Sequence, residues 1–114
     1  MEAKVYLDYT QEELDAQYEH RAFVADGDEF LNNTHDQSKQ VHEAARAASA
    51  GKFDVAYGPD PDQILDIYQA AGDGPRPVVV FFHGGRWSRG SKTSNVECSA
   101  MYNAAGIHFV SVNF

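Results

Sequence analysis

The stretch Pro77–Arg89, PVVVFFHGGRWSR, constrains this chain more than any other. Val78–Phe82 is a continuous apolar run of β-branched and aromatic residues with no polar alternation, the mark of a strand buried on both faces. It ends abruptly in His83-Gly84-Gly85, followed by Arg86 and the chain's single tryptophan, Trp87. Residues without a Cβ let a backbone turn sharply or approach a ligand closely. Downstream, Ser94–Ala105 has helical character closed by Gly106, and Ile107–Phe114, IHFVSVNF, reads as the next strand. Strand, helix and strand make a βαβ unit, which implies a parallel pair with a right-handed crossover. In such sheets ligands bind beyond the carboxyl ends of the parallel strands, and His83–Trp87 falls there.

Upstream of this unit, Phe53–Tyr57 alternates, Gly58-Pro59-Asp60-Pro61-Asp62 makes a turn, and Ile64–Tyr68 follows as a second strand. That pattern predicts an antiparallel hairpin. Nearer the start, Thr10-Gln11-Glu12-Glu13 is a capping box. The helix it opens carries Leu14 and Tyr18 before Asp26-Gly27-Asp28 breaks it. A second helix, rich in alanine, is expected from about Asp36 to Gly51, its C-cap. The expected organisation is therefore a helical lead-in or lid over residues 1–51, then the first strands of a mixed α/β sheet over 52–114. As the last strand, IHFVSVNF has no partner in this reading, and natural proteins avoid long unpaired apolar edges. The expectation is a fragment, a nicked product or one chain of a split protein, incomplete without further strands.

Charge narrows the partners. Seventeen acidic residues against nine basic ones leave a net charge of −8, and no stretch concentrates Lys or Arg. Neither nucleic acid nor an anionic membrane is expected to bind. Met1–Thr10 has no apolar run behind a basic start, no segment reaches the length of a membrane span, and Cys98 stands alone, which together fit a reducing cytoplasm. His35 and His42 lie seven apart with no His-Glu-x-x-His, and Asp26-Gly27-Asp28-Glu29-Phe30 lacks the spacing of a calcium loop. No metal and no cofactor are implied.

Three chemistries compete for His83–Lys92. A phosphate loop needs Gly-Lys-Ser/Thr after its four-residue gap, and here Ser91-Lys92 follows Gly90 in the reverse order. A plain turn would account for the glycines but not for His83 before them and Trp87 after. An oxyanion hole accounts for all of them, because acyl transfer builds negative charge on a carbonyl oxygen and fixed backbone N–H groups stabilise it.

On the residues Tyr57–Pro61, Leu65-Asp66-Ile67-Tyr68, Val80–Trp87, Gly90-Ser91-Lys92 and Val110–Phe114, with Tyr9–Tyr18 and Arg21 ahead of them, the chain resembles the N-terminal portion of an α/β-hydrolase of the kynurenine formamidase (arylformamidase)-like and carboxylesterase group. The resemblance implies that the amides of Gly85 and Arg86 face the oxyanion, that Gly84 gives clearance, and that His83 is structural, its ring hydrogen-bonded to hold the loop. Trp87 would line the substrate pocket or pack as a wall under the loop. Tyr18 and the first helix would form a lid or cover the sheet edge. It also implies a small formamide or ester substrate and a complementary C-terminal part of the hydrolase, or a homo-oligomer, as partner. None of the serines nor Cys98 has the glycine pattern of a nucleophile elbow. The expected serine hydrolase therefore keeps its Ser, Asp and His beyond residue 114, and 1–114 alone is expected to be inactive. The alternative is a non-catalytic module acting only in binding or assembly.

Overall fold

The computed structural model describes residues 3–114. They fall into two compact units, one ending at Asn32 and the other running from Asn33 to Phe114. The division lies inside a helix, well before the boundary at residue 51 that the sequence suggests.

The first unit is built on local hydrogen bonds. Helix α1 (Gln11–Tyr18) begins with the full capping box: the Glu13 amide donates to Thr10 Oγ1 at 3.3 Å, and the Thr10 amide donates to Glu13 Oε2 at 2.8 Å. Two backbone donors orphaned at the helix start are thereby satisfied. Lys4 adds an ammonium 3.2 Å from the same carboxylate. These donors, the Thr10 amide foremost, hold the Glu13 carboxyl below its usual value. A 3-10 turn follows (His20–Phe23), with Arg21 paired to Glu19 and Asp28.

Helix α2 spans Gly27–Ala47 and begins nine residues earlier than the expected Asp36. Asp26-Gly27-Asp28 starts this helix instead of only ending the one before it, since Asp28 and Glu29 in the first turn complement the positive end of the helix dipole. Nor is Gly51 the cap at its far end. Ser49 takes the left-handed conformation there (φ 51°), and Gly51 opens strand β1 (Gly51–Ala56). A Cβ on Gly51 would lie 2.0 Å from the Ile67 carbonyl oxygen, so only glycine lets β1 come this close to its neighbour.

The second unit is a mixed sheet of β1, β2 (Ile64–Tyr68), β3 (Val78–Phe82) and β4 (His108–Val112), in the order β1-β2-β4-β3. The pairs β1/β2 and β2/β4 are antiparallel; β3/β4 is parallel, with helix α3 (Ser99–Ala104) in the crossover. One face of the sheet carries the core. Phe109 stacks on Phe81 and Tyr102 and meets Tyr68 edge-on, and Val96 closes the cluster. Val79 and Phe81 alternate onto this face. Val78, Val80 and Phe82 point the other way and are more than half exposed.

Two expectations are corrected by this order. The apolar run of β3 is not buried on both faces; it forms a sheet edge with one open face. IHFVSVNF is not an edge at all, because β4 is hydrogen-bonded to β2 on one side and to β3 on the other. The expected fold class, an α/β-hydrolase front portion, rested on the strand–helix–strand pattern and the His83–Trp87 block. It gives way to a mixed four-stranded sheet with three α-helices among the described residues.

Phe109 is 1% exposed and touches aromatic rings from β2, β3 and α3. Phe109→Ala should therefore cost about 3–5 kcal/mol through lost burial and a residual cavity. Equilibrium denaturation in urea, with an unchanged slope and a lower midpoint, would show it.

Candidate functional site

The site is set by the parallel pair. With β3 and β4 running the same way, the loop after Phe82 and the residues after Val112 emerge at one end of the sheet. There the Lys92 amide donates to Asn113 Oδ1 at 3.1 Å, and the His83 ring stacks on Phe114 with centroids 4.5 Å apart and planes nearly parallel. Asn113 also ties this end to the hairpin, its Nδ2 donating to the Asp62 carbonyl and its own carbonyl accepting from the Tyr57 hydroxyl.

Inside the loop, hydrogen bonding fixes both ring and backbone. His83 is 7% exposed, and its Nδ1 lies 2.8 Å from the Gly84 carbonyl. A carbonyl only accepts, so Nδ1 donates here, and the ring's other nitrogen is Nε2. That Nε2 is buried without a partner among the described residues. Gly90 backs onto the same ring: a Cβ there would stand 2.6 Å from His83 Nδ1.

The Gly85 carbonyl accepts from the amides of Ser88 and Arg89, both at 3.1 Å, and from the Ser88 hydroxyl at 3.2 Å. This turn forces Gly85 to φ 128° and holds Arg86 and Trp87 at φ 55° and 58°. Consecutive left-handed non-glycine residues cost about 1–2 kcal/mol each. Among the described residues, the amides of Gly84, Gly85, Arg86 and Trp87 find no acceptor. The loop thus presents four consecutive N–H donors in a fixed conformation. Gly84 faces open space, with nothing within 4 Å of the place its Cβ would occupy. Trp87 is not a wall under the loop, since its side chain is 92% exposed. Tyr18 lies in the first unit, at the last position of α1, and is exposed.

Behind the loop lies a charge network that sequence reasoning missed. Asp66, in the middle of β2, is fully buried and accepts from Lys92 Nζ with both carboxylate oxygens at 2.8 Å. It also accepts from the Asp54 amide at 2.8 Å. That amide is available because β1 bulges between Lys52 and Val55, with Asp54 at φ 58°. The Asp54 carboxylate then bridges Lys92 (2.8 Å) and Arg46. His42 completes the cluster, its Nδ1 2.8 Å from the Tyr68 hydroxyl and 3.7 Å from Asp66. Two signals in the sequence point to it: a lone carboxylate within the apolar strand ILDIY, and a lysine directly after a Gly-Ser loop. Neither locates the partner, which is 26 residues away. Among the described residues, no group of three or more His, Cys, Asp or Glu could hold a metal ion. No helix there is long and apolar enough to cross a membrane.

The fold this geometry defines has a known relative. No protein-family model matches the sequence, and no curated protein matches it. Among solved structures the chain is similar to a protein from Silicibacter sp. TM1040 described as a "putative thioesterase", with a TM-score of 0.74 and 18% identity, over 90% of this chain. This chain spans 38% of the length of that one. At such identity the likeness shows a shared fold.

Two expectations are corrected here. The structural likeness is to a protein described as a "putative thioesterase", and no family model matches the chain. The reading of this chain as the oxyanion-hole part of a serine hydrolase of formamides or carboxylic esters is replaced on that finding.

The network makes its own predictions. Asp66→Asn leaves the Lys92 ammonium without its buried carboxylate and should cost about 3–5 kcal/mol, measured by urea denaturation. Replacing the pair together by Asn and Met should cost less than the single change, because no charge is then stranded.

His42 gives a pH signature. Burial lowers its pKa below the usual 6.5, assisted by Lys92 and Arg46 and opposed by Asp66 and Asp54. The folded state therefore favours the neutral ring. Its contribution is complete above the unfolded value and is lost as pH falls from there toward the lower folded one. The melting temperature should drop more steeply between about pH 7 and 5 in the wild type than in His42→Gln. Equal slopes would remove His42 as the cause.

Proposed function

We propose that this chain is part of a thioester hydrolase, with loop 83–92 as the element that receives the substrate carbonyl. The observation that carries this reading is the fold likeness, at a TM-score of 0.74, to a protein described as a "putative thioesterase". The unpaired amides of Gly84–Trp87 at the carboxyl end of β3 support it.

In thioester hydrolysis the oxygen of water adds to the carbonyl carbon, the C–S bond breaks, and the thiol leaves with a proton. Charge gathers on the carbonyl oxygen as the tetrahedral species forms. Donors fixed in place beforehand stabilise that charge without reorganising. The amides of Gly85 and Arg86 are assigned this role, since Gly85 orients them and the Cβ-free Gly84 beside them leaves room for the acyl group. His83 positions the loop through its bond to the Gly84 carbonyl. The reading gives this chain the carbonyl site and one wall of the pocket, and no proton-transfer group.

Thiol release by the complete enzyme from an acetyl or butyryl thioester of N-acetylcysteamine, followed with a thiol reagent, tests it. The thioester should be cleaved faster than the matching oxygen ester and faster than an aryl formamide. Faster turnover of the formamide would overturn the reading.

Two glycine variants separate loop chemistry from loop folding. Gly84→Ala places its Cβ in open space, so stability should change by no more than about 0.5 kcal/mol. Activity should fall, because the new methyl group occupies the approach to the carbonyl. Gly85→Ala would put a Cβ 1.9 Å from the Arg89 carbonyl oxygen at φ 128°. That loop must refold, and both turnover, by about 10²–10³-fold, and melting temperature should fall. Full activity in Gly84→Ala would remove the loop from the reaction.

A further inference from the structure

The carbonyl-binding reading uses the backbone of the loop and leaves its side chains unexplained. Arg86, Trp87 and Arg89 all stand in solvent. Trp87, at 92%, is the most exposed of the large apolar side chains. Neither guanidinium makes an ion pair or side-chain hydrogen bond among the described residues, in a chain with seventeen acidic side chains. Four of the nine basic residues find carboxylates among the described residues, Lys4 with Glu13, Arg21 with Glu19 and Asp28, Arg46 with Asp54 and Lys92 with Asp66; Lys39, Lys52 and Arg76 do not, so what sets Arg86 and Arg89 apart is that they flank the exposed indole.

The exposure is held in place. Three donors converge on the Gly85 carbonyl and hold Arg86 and Trp87 in the left-handed region, which turns their side chains out of the fold. Backbone strain combined with a bare indole is costly in an isolated chain, and such strain collects where a ligand is met. An indole offers a flat π-face for stacking, and a guanidinium offers a planar fork that matches an oxyanion. One indole between two unpaired forks selects for a ring and a negative charge in the same small molecule.

We propose that Arg86, Trp87 and Arg89 form a recognition surface for a small ligand that joins a planar ring to an oxyanion, carboxylate or phosphate. The ring lies on the Trp87 indole and the oxyanion is taken by the flanking guanidinium groups. This names a substrate class for the loop and rests on the reading of that loop as substrate-facing. Its test reads binding without turnover, so the two can fail separately.

Trp87 is the only tryptophan, so its emission, excited near 295 nm, reports on this surface alone. The protein is titrated with benzoate and with adenosine 5′-monophosphate as the carboxylate and phosphate arms. Benzamide and adenosine serve as rings without the charge, acetate and inorganic phosphate as charges without the ring. A saturable change with at least one ring-bearing anion is expected, and the arm that responds identifies the oxyanion. The uncharged and ringless controls should bind at least about tenfold more weakly. R86Q and R89Q, each checked for an unchanged melt by circular dichroism, should weaken the responding anion by about tenfold, and the double variant further. The proposal is overturned by the absence of any saturable change up to about 10 mM, at the weak end of measurable affinity. Equal binding of the uncharged analogue, or a folded double variant with unchanged affinity, would also overturn it.

Discussion

The second unit depends on one buried ion pair. Asp66 sits in the middle of β2 with no exposure, and burying a carboxylate is tolerable only if its charge is met and its lone pairs are filled. Lys92 meets the charge from the loop after β3, and the bulged amide of Asp54 fills a further acceptor site. The pair thus ties three places together: the hairpin, the sheet centre and the base of the glycine loop. Arg46 on α2 and His42 beside it bring the helix into the same network. A hydrophobic pair of equal volume could supply comparable stability, but it would not fix the register of a bulge against a loop. Specifying that arrangement is the role this geometry gives the charges.

The loop built on that base spends conformational energy in a particular way. Gly85 accepts a backbone conformation that a side chain would resist, its carbonyl gathers the turn's donors, and the amides of Gly84 to Trp87 find no acceptor among the described residues. Such a loop is expensive to hold and gives little packing in return. Lys92 anchors the loop to the buried Asp66, while the amides of Gly84–Trp87 stay unpaired among the described residues.

Some expectations failed because local sequence does not report neighbours. The run VVVFF looks buried on both faces since every residue is apolar, yet β3 is an edge and three of those side chains are exposed. IHFVSVNF looks like an unpaired end, yet β4, like β2, has partners on both sides. Strand order is set by long-range pairing, which an alternation pattern does not encode. The assignment to formamidases and carboxylesterases failed for a related reason. It leaned on a short glycine-histidine-tryptophan block, and such a block marks a loop geometry that different chemistries share.

By itself the sequence determined what depends on near neighbours. Thr10 and Glu13 specify a helix start because the two residues satisfy each other within one turn. Ile64–Tyr68 and Val78–Phe82 are strands at the residues their apolar, β-branched composition marks, and the Gly-Pro-Asp turn before Ile64 joins β1 to β2. The tertiary structure decided what depends on distance. It chose which strand is central and where α2 begins, and it brought Asp66 to Lys92 across 26 residues and Tyr57 to Asn113 across 56. It also set which atoms of the loop stay unpaired, because an amide is free only when no acceptor from elsewhere reaches it. Short-range hydrogen bonds and side-chain preference are written in consecutive residues; burial, pairing and the freedom of a donor are properties of what the folded chain places around them.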